Sequence, residues 1–213
     1  MQSDDDWAEM SLREFQTALA SSSPTPGGGT AAAVSLGQAA ALTCMVADLT
    51  IGNEKWKDGW KDAETSQDVA ISMFSRSLDL ATDDSRSFDG VMMAYRLPKD
   101  SDDEKDLRKQ AIREATLGAA EVPLETAKLA CSLLETLPSL ATTGNGNAVT
   151  DVGVASLLAS AACKGALFNV EINLIGMEGD MAKQYSEEAS QILEKSRQLS
   201  RDCMDAVRER LNS

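Results

Sequence analysis

The sequence predicts an all-α fold: one domain over residues 1–213, a bundle of about six helices, several of them long and partly kinked. Three observations lead there. Hydrophobic residues are 43% of the chain, enough for a packed core, while aromatics are only 4%, too few for the aromatic strands of a sandwich or barrel. Capping residues followed by periodic apolar runs recur along the chain, and Gly or Pro separates them. No alternation of strand and helix patterns, no internal repeat and no low-complexity tract interrupts the series.

Each element has its own signal. Ser11, with Glu14 three residues on, forms a capping-box pattern that opens a helix through LREFQTALA, and the serines at 21–23 end it. Pro24-Thr25-Pro26-Gly27-Gly28-Gly29 then breaks the chain. The second helix is expected over residues 30–50. The third is expected unbroken over residues 60–96, stopping ahead of Leu97-Pro98. Asp102, Asp103 and Glu104 open the fourth, where negative charge suits a helix N-terminus. Pro123 is expected to kink or split it, because proline lacks an N–H and crowds the preceding turn. Gly144-Asn145-Gly146-Asn147 turns into the fifth helix, which runs to about residue 175, and residues 181–211 form the sixth.

Composition excludes several functions. With 20 basic and 34 acidic side chains the net charge is −14, which disfavours nucleic acid as a partner. The chain has no histidine. A Ser-His-Asp triad, a His-ligated metal and an imidazole base are therefore excluded, and acid–base work falls to carboxylates, Lys, Cys or Tyr. Cys44, Cys131, Cys163 and Cys203 are spaced too widely for a CxxC pair and lie in apolar, helical contexts, which reads as buried, reduced thiols of a cytoplasmic protein. The acidic opening MQSDDDWAEM lacks the basic and apolar regions of a signal peptide. Residues 31–51 imitate a membrane span in length. Their bulk is alanine, and Gln38, Thr43 and Asp48 interrupt them, so a buried core helix is expected and no membrane partner.

Chemistry has few places to reside. Gly27, Gly28 and Gly29 precede a helix, where free backbone N–H groups can face an anion or simply make a tight turn; no GK[ST] follows, which excludes a P-loop. Gly29, Ala33, Gly37 and Ala41 recur every four residues and form a seam for close approach of another helix. Asp84 shares a helical face with Leu80, Ala81, Phe88 and Val91, whereas Asp83 groups with Asp79, Arg86 and Ser87 on the wet side. A carboxyl among apolar residues has a raised pKa, and it either serves as an acid–base group near neutrality or is a structural group paired with a neighbouring helix. Asn169 and Asn173 share a face of the fifth helix, lining a cleft or bonding to a neighbouring helix. Asp151 points the same way about 27 Å off, at 1.5 Å per residue. Lys55, Lys57 and Lys61, interleaved with Trp56 and Trp60, make a local basic patch in an exposed loop. Met92 and Met93 read as core filler.

Taken together these motifs resemble the cyclodeaminase/cyclohydrolase family, which includes the C-terminal domain of formiminotransferase-cyclodeaminase and stand-alone methenyltetrahydrofolate cyclohydrolases. Pro24-Thr25-Pro26-Gly27-Gly28-Gly29-Thr30-Ala31-Ala32-Ala33 is similar to its PTPGGGS signature. Six further stretches follow in order: VADLTIG from Val46, DSRSFD from Asp84, RLPK from Arg96, EVPL from Glu121, GNGNAVTD from Gly144 and FNVEINL from Phe168. The resemblance implies an all-helical homodimer that binds a tetrahydrofolate derivative in a cleft, with Asp84 as the acid–base residue. It also implies substrate contacts from Pro26, Gly27, Gly28, Gly29, Lys55, Asn147, Asp151, Asn169 and Asn173. No metal is expected, and no cofactor beyond the tetrahydrofolate substrate. Hydrolysis of 5,10-methenyltetrahydrofolate to 10-formyltetrahydrofolate is the leading expectation, and ammonia-releasing cyclodeamination of 5-formiminotetrahydrofolate the alternative. Two departures, Thr82 where the family often has an acid and the weakly basic Asn53-Glu54-Lys55-Trp56, favour a third reading, a folate-binding module without catalysis.

Overall fold

Ser11 caps as its spacing predicts. Its N–H donates to Glu14 Oε2 at 2.9 Å and the Glu14 N–H donates to Ser11 Oγ at 3.3 Å, so α1 (Leu12–Leu19) starts with two otherwise orphaned donors satisfied. The computed structural model describes residues 6–212; the first five residues of the acidic opening lie outside the described residues. After α1 come α2 (Gly28–Thr50), α3 (Trp60–Ile71), α4 (Met73–Tyr95), α5 (Asp102–Thr143), α6 (Val149–Leu174) and α7 (Asp180–Asn212). Short 3-10 turns lie at Trp7–Glu9, Glu54–Gly59 and Gly146–Ala148, and no strand occurs among the described residues. The fold is all-α.

Two boundaries differ from expectation. Residues 60–96 are not one helix: α3 ends at Ile71 and α4 begins at Met73, with Ser72 between them. Among the described residues the bundle consequently has seven α-helices. Proline does not split α5, which runs 42 residues through both Pro123 and Pro138. A second capping box, Ser101 with Glu104, starts it beside the acidic cluster.

Alanine decides the packing. Ala32, Ala39, Ala40 and Ala47 of α2 and Ala155, Ala159, Ala162 and Ala166 of α6 are buried, which lets these two helices lie close together beside α5. Leu133, Leu134, Leu137 and Leu140 of α5 fill the remaining core. Each such leucine contributes about 1.5–3 kcal/mol when removed from water. The outer helices cover this centre: α7 lies against α5 and α6, α4 against α2 and α5, and α3 against α2 and α5. Gly28–Thr50 and Gly146–Leu174 are long and apolar enough to cross a membrane by length and composition, yet more than half of the most apolar 18-residue stretch of each is buried inside the bundle. The four cysteines are free and buried.

The small-residue seam brings α4 onto α2 in antiparallel register. A Cβ on Gly37 would fall 2.6 Å from Ser77 Oγ, Ala33 clusters with Leu80 and Ala81, and Gly29 faces Asp84. The seam stops there. Ala41 is exposed, because steps of four residues drift about 40° each around a helix of 3.6 residues per turn. Met92 and Met93, expected as core filler, stand on the surface at 37% and 51% exposure, as the stripe of α4 rotates away from α2.

Candidate active site

The N-terminus of α2, the middle of α4 and the C-terminal part of α6 enclose a cavity of about 320 Å³, within the range of small-molecule sites. Its walls include Gly27, Gly28 and Gly29 from the loop, Asp84, Ser87, Phe88 and Val91 from α4, and Asn169, Ile172 and Asn173 from α6. The loop glycines thus face the carboxylate and the amides that helical periodicity singled out.

Glycine at 29 is required by contact. A Cβ there would stand 2.1 Å from Asp84 Oδ1, so only a bare backbone lets the start of α2 meet the carboxylate. Gly28 is freer: its Cβ would meet Asn169 Nδ2 at 3.8 Å, ordinary contact distance. Thr30 Oγ1 donates to Asp84 Oδ2 at 3.0 Å, and the Thr30 backbone N–H donates to the same carboxylate. Burial pushes the Asp84 carboxyl above the usual aspartate range; the two Thr30 bonds oppose that shift without cancelling it. The outcome is a carboxyl that releases and regains a proton more readily near neutral pH than an exposed aspartate does.

Its neighbour behaves differently. Asp83 pairs with Arg76 at 3.3 Å and with Arg86 at 3.9 Å. The Arg76 guanidinium also grips Glu125 of α5 through Nε at 2.7 Å and Nη2 at 2.6 Å, holding the Glu125 carboxyl below its ordinary range. This fork ties α4 to α5 about two turns before Asp84. The Arg76 contact was not legible in the chain, because Glu125 lies 49 residues away.

The amides show how a proline positions a site residue. Pro123 has no N–H, so the carbonyl four residues back, on Ala119, loses its helical donor. Asn173 Nδ2 supplies one at 3.0 Å. Asn173 therefore bonds across to α5, whereas Asn169 Nδ2 bonds within its own helix to the Gly165 carbonyl at 2.9 Å. Each amide spends one N–H this way and keeps its oxygen and second N–H for a ligand.

The other expected contacts stand elsewhere. Pro26 is buried behind the loop and does not line the cavity. Lys55 is exposed over the Trp56 ring, 4.6 Å from its centroid. Asn147 is exposed in the turn before α6, its backbone N–H bonded to Asn145 Oδ1 at 3.0 Å. Asp151 occupies the first turn of α6, about 27 Å along the axis from Asn169. Lys55, Asn147 and Asp151 are thus separate from the cavity within one chain. Ser87, grouped by helical periodicity with Asp83 on the wet side, lines the cavity instead, and Ile172, four residues from Phe168 and one from Asn173, lines it too. Among the described residues no group of three His, Cys, Asp or Glu side chains is disposed to hold a metal.

Residues 11–191 match the sequence profile of formiminotransferase-cyclodeaminase. This chain belongs to that family. A methenyltetrahydrofolate cyclohydrolase of Methylorubrum extorquens is 35% identical over 202 residues, covering 94% of this chain and 97% of the relative. The formimidoyltransferase-cyclodeaminase of Rattus norvegicus is 32% identical over 180 residues, and there the match spans 83% of this chain and 32% of the larger protein. Among solved structures of the family, formiminotetrahydrofolate cyclodeaminase of Thermotoga maritima superposes with a TM-score of 0.78 at 28% identity, covering 96% of this chain and 97% of that one. The family members named here are enzymes of folate metabolism.

Proposed function

We propose that this protein hydrolyses 5,10-methenyltetrahydrofolate to 10-formyltetrahydrofolate, with Asp84 carrying the proton. The observation that bears most weight is the Asp84 carboxyl, raised in pKa by burial and facing a cavity rimmed by loop backbone and two amides. In this reading the carboxylate takes a proton from water as its oxygen bonds to the methenyl carbon. It then gives that proton to N5 as the C–N5 bond breaks, and loss of the hydroxyl proton leaves the N10-formyl group. Asn169, Asn173 and the α2 N-terminus orient the folate. The reaction uses no cofactor beyond its substrate, and the proposed setting is the cytoplasm. The relative from Methylorubrum, matched nearly end to end, supports this choice. Similarity to the Thermotoga cyclodeaminase favours a second reading in which N10 attacks the formimino carbon and ammonia leaves, with Asp84 again moving the proton.

Loss of methenyltetrahydrofolate absorbance, set beside ammonia release from formiminotetrahydrofolate, separates the two. Acceleration of the first alone is expected. Ammonia release alone would replace it with the second reading, and turnover of neither substrate would leave a folate-binding module.

We further propose that the working unit is a homodimer joined along α6. That helix exposes Val154 (46%), Leu157 (55%), Phe168 (68%) and Ile172 (62%), and Ile175 (74%) follows just past its end, a line of apolar side chains along its length. A two-fold axis near Ala161 would lay the cavity end of one α6 against the Asn147–Asp151 end of the other. Lys55, Asn147 and Asp151 would then serve the partner's cavity. Leu157→Glu, remote from the cavity, is expected to sediment at half the wild-type mass. Co-expressed Asp84→Asn and Asp151→Ala chains, each inactive alone, are expected to recover about a quarter of wild-type activity, since half the dimers are mixed and each holds one intact site. A monomeric wild type, or no recovery, would refute the arrangement.

A further inference from the structure

The N-terminal turn reaches the carboxylate from behind. Trp7 is buried at 6% exposure in a small cluster with Phe15, Ala33, Leu80 and Ala81, and its indole Nε1–H donates to Ser85 Oγ at 3.0 Å across 78 residues of sequence. Ser85, fully buried, stands 3.3 Å from Thr30 Oγ1, and Thr30 Oγ1 donates to Asp84 Oδ2 at 3.0 Å. The Gly27 N–H also donates to Thr30 Oγ1, at 3.4 Å. None of this touches the cavity except Asp84 and Gly27.

We infer that Trp7 and Ser85 are positioning residues for Asp84, acting through a buried hydrogen-bond chain that runs from the indole through two hydroxyls to the carboxylate. An indole N–H donates and never accepts. With Trp7 occupying Ser85 as donor, the Ser85 proton is free to turn toward Thr30, and the Thr30 proton toward Asp84. The chain also ends in a group that cannot take a proton, so nothing leaks outward along it. Asp84 exchanges its proton only through the cavity. If the Trp7 donor is lost, Ser85 has a vacant lone pair and competes with Asp84 for the Thr30 proton. The carboxylate then loses a bond that holds its orientation, although the cavity walls are unchanged.

This inference rests on Asp84 being the proton carrier, and its test separates the two. Trp7→Phe keeps an aromatic ring and removes the donor; Ser85→Ala removes the relay. Both are expected to lower kcat about 3–10-fold, the effect of one neutral hydrogen bond, with KM unchanged. Thr30→Ser should keep wild-type kcat, while Thr30→Val should fall at least as far as Ser85→Ala. A second readout needs no turnover: in protein labelled with 15N-tryptophan, the indole N–H signal absent from Trp7→Phe identifies Trp7 among three. That signal is expected to move in Ser85→Ala and, through the chain, in Asp84→Asn. Unchanged kcat in Trp7→Phe and Ser85→Ala, in an active wild type, overturns the inference. So does a Trp7 signal indifferent to Ser85→Ala. Loss in KM alone would also overturn it, since that would place these residues in binding. A wild type inactive on both folates would refute the functional reading, and the indole signal would still decide whether the chain couples Trp7 to Asp84.

Discussion

Asp84→Asn is expected to lower folate turnover by at least ~100-fold, the usual scale for a lost acid–base group, while the protein stays folded. The substitution is nearly isosteric, and an amide oxygen can still accept from Thr30. Stability should move the other way, and the sign follows from linkage. Burial raises the Asp84 pKa in the folded state, so folding favours its protonated form. The associated stabilisation is fully present below the ordinary aspartate pKa of about 4 and is lost as pH rises through the folded value. Near pH 7 the wild type therefore carries a buried charge that the amide variant lacks. Thermal unfolding is expected to show Asp84→Asn at least as stable as wild type at pH 7, with that advantage shrinking as the pH falls toward 4. The wild-type rate should also drop on the acid side at a pH above the usual aspartate range, because the carboxylate is the form that accepts a proton. A variant with undiminished turnover would remove Asp84 from the chemistry, and a variant markedly less stable at pH 7 would contradict the account of its burial.

Gly29→Ala is expected to cost nearly as much activity without touching a titratable group. The new Cβ would stand 2.1 Å from Oδ1 and within 2.7 Å of the other carboxyl atoms, so the carboxylate must rotate away or α2 must lift from α4. Displacement of a reacting group by about 1 Å lowers turnover by roughly 100-fold. Overpacking of a tight contact costs about 1–3 kcal/mol of stability. Gly28→Ala is the matched control for packing: one residue earlier its Cβ meets an atom only at 3.8 Å, and a near-wild-type melting temperature is expected. Equal behaviour of the two variants would show that the loop does not press on Asp84.

Legibility in the sequence followed distance along the chain. Ser11 with Glu14 operates within a single turn, and its capping box forms as the spacing implies; at the acidic start of α5 the structure adds a second box from Ser101. Asp84 was recognisable because a helical face is defined by residues three and four apart, and Phe88 and Val91 do line the cavity beside it. The break at Ser72 carries no local signal, since neither Gly nor Pro stands near it. Pro123 marks the bond it removes, and the structure adds the group that replaces it, Asn173, which reaches Ala119 across 54 residues of sequence.

What the sequence determined by itself is the all-α class, the capped helix starts and the face on which Asp84 stands. Caps and periodicity are written in neighbouring residues, and so they survive without knowledge of the partner helix. Tertiary structure alone decided that the glycine loop presses on Asp84, that Asn173 completes the ladder broken by Pro123, and that Trp7 reaches Ser85 from the first turn. Those contacts depend on which helices lie together and in what register. Register is settled by small residues such as Gly29, Ala33 and Gly37 meeting one particular surface of α4, a match between two surfaces that neither helix encodes alone.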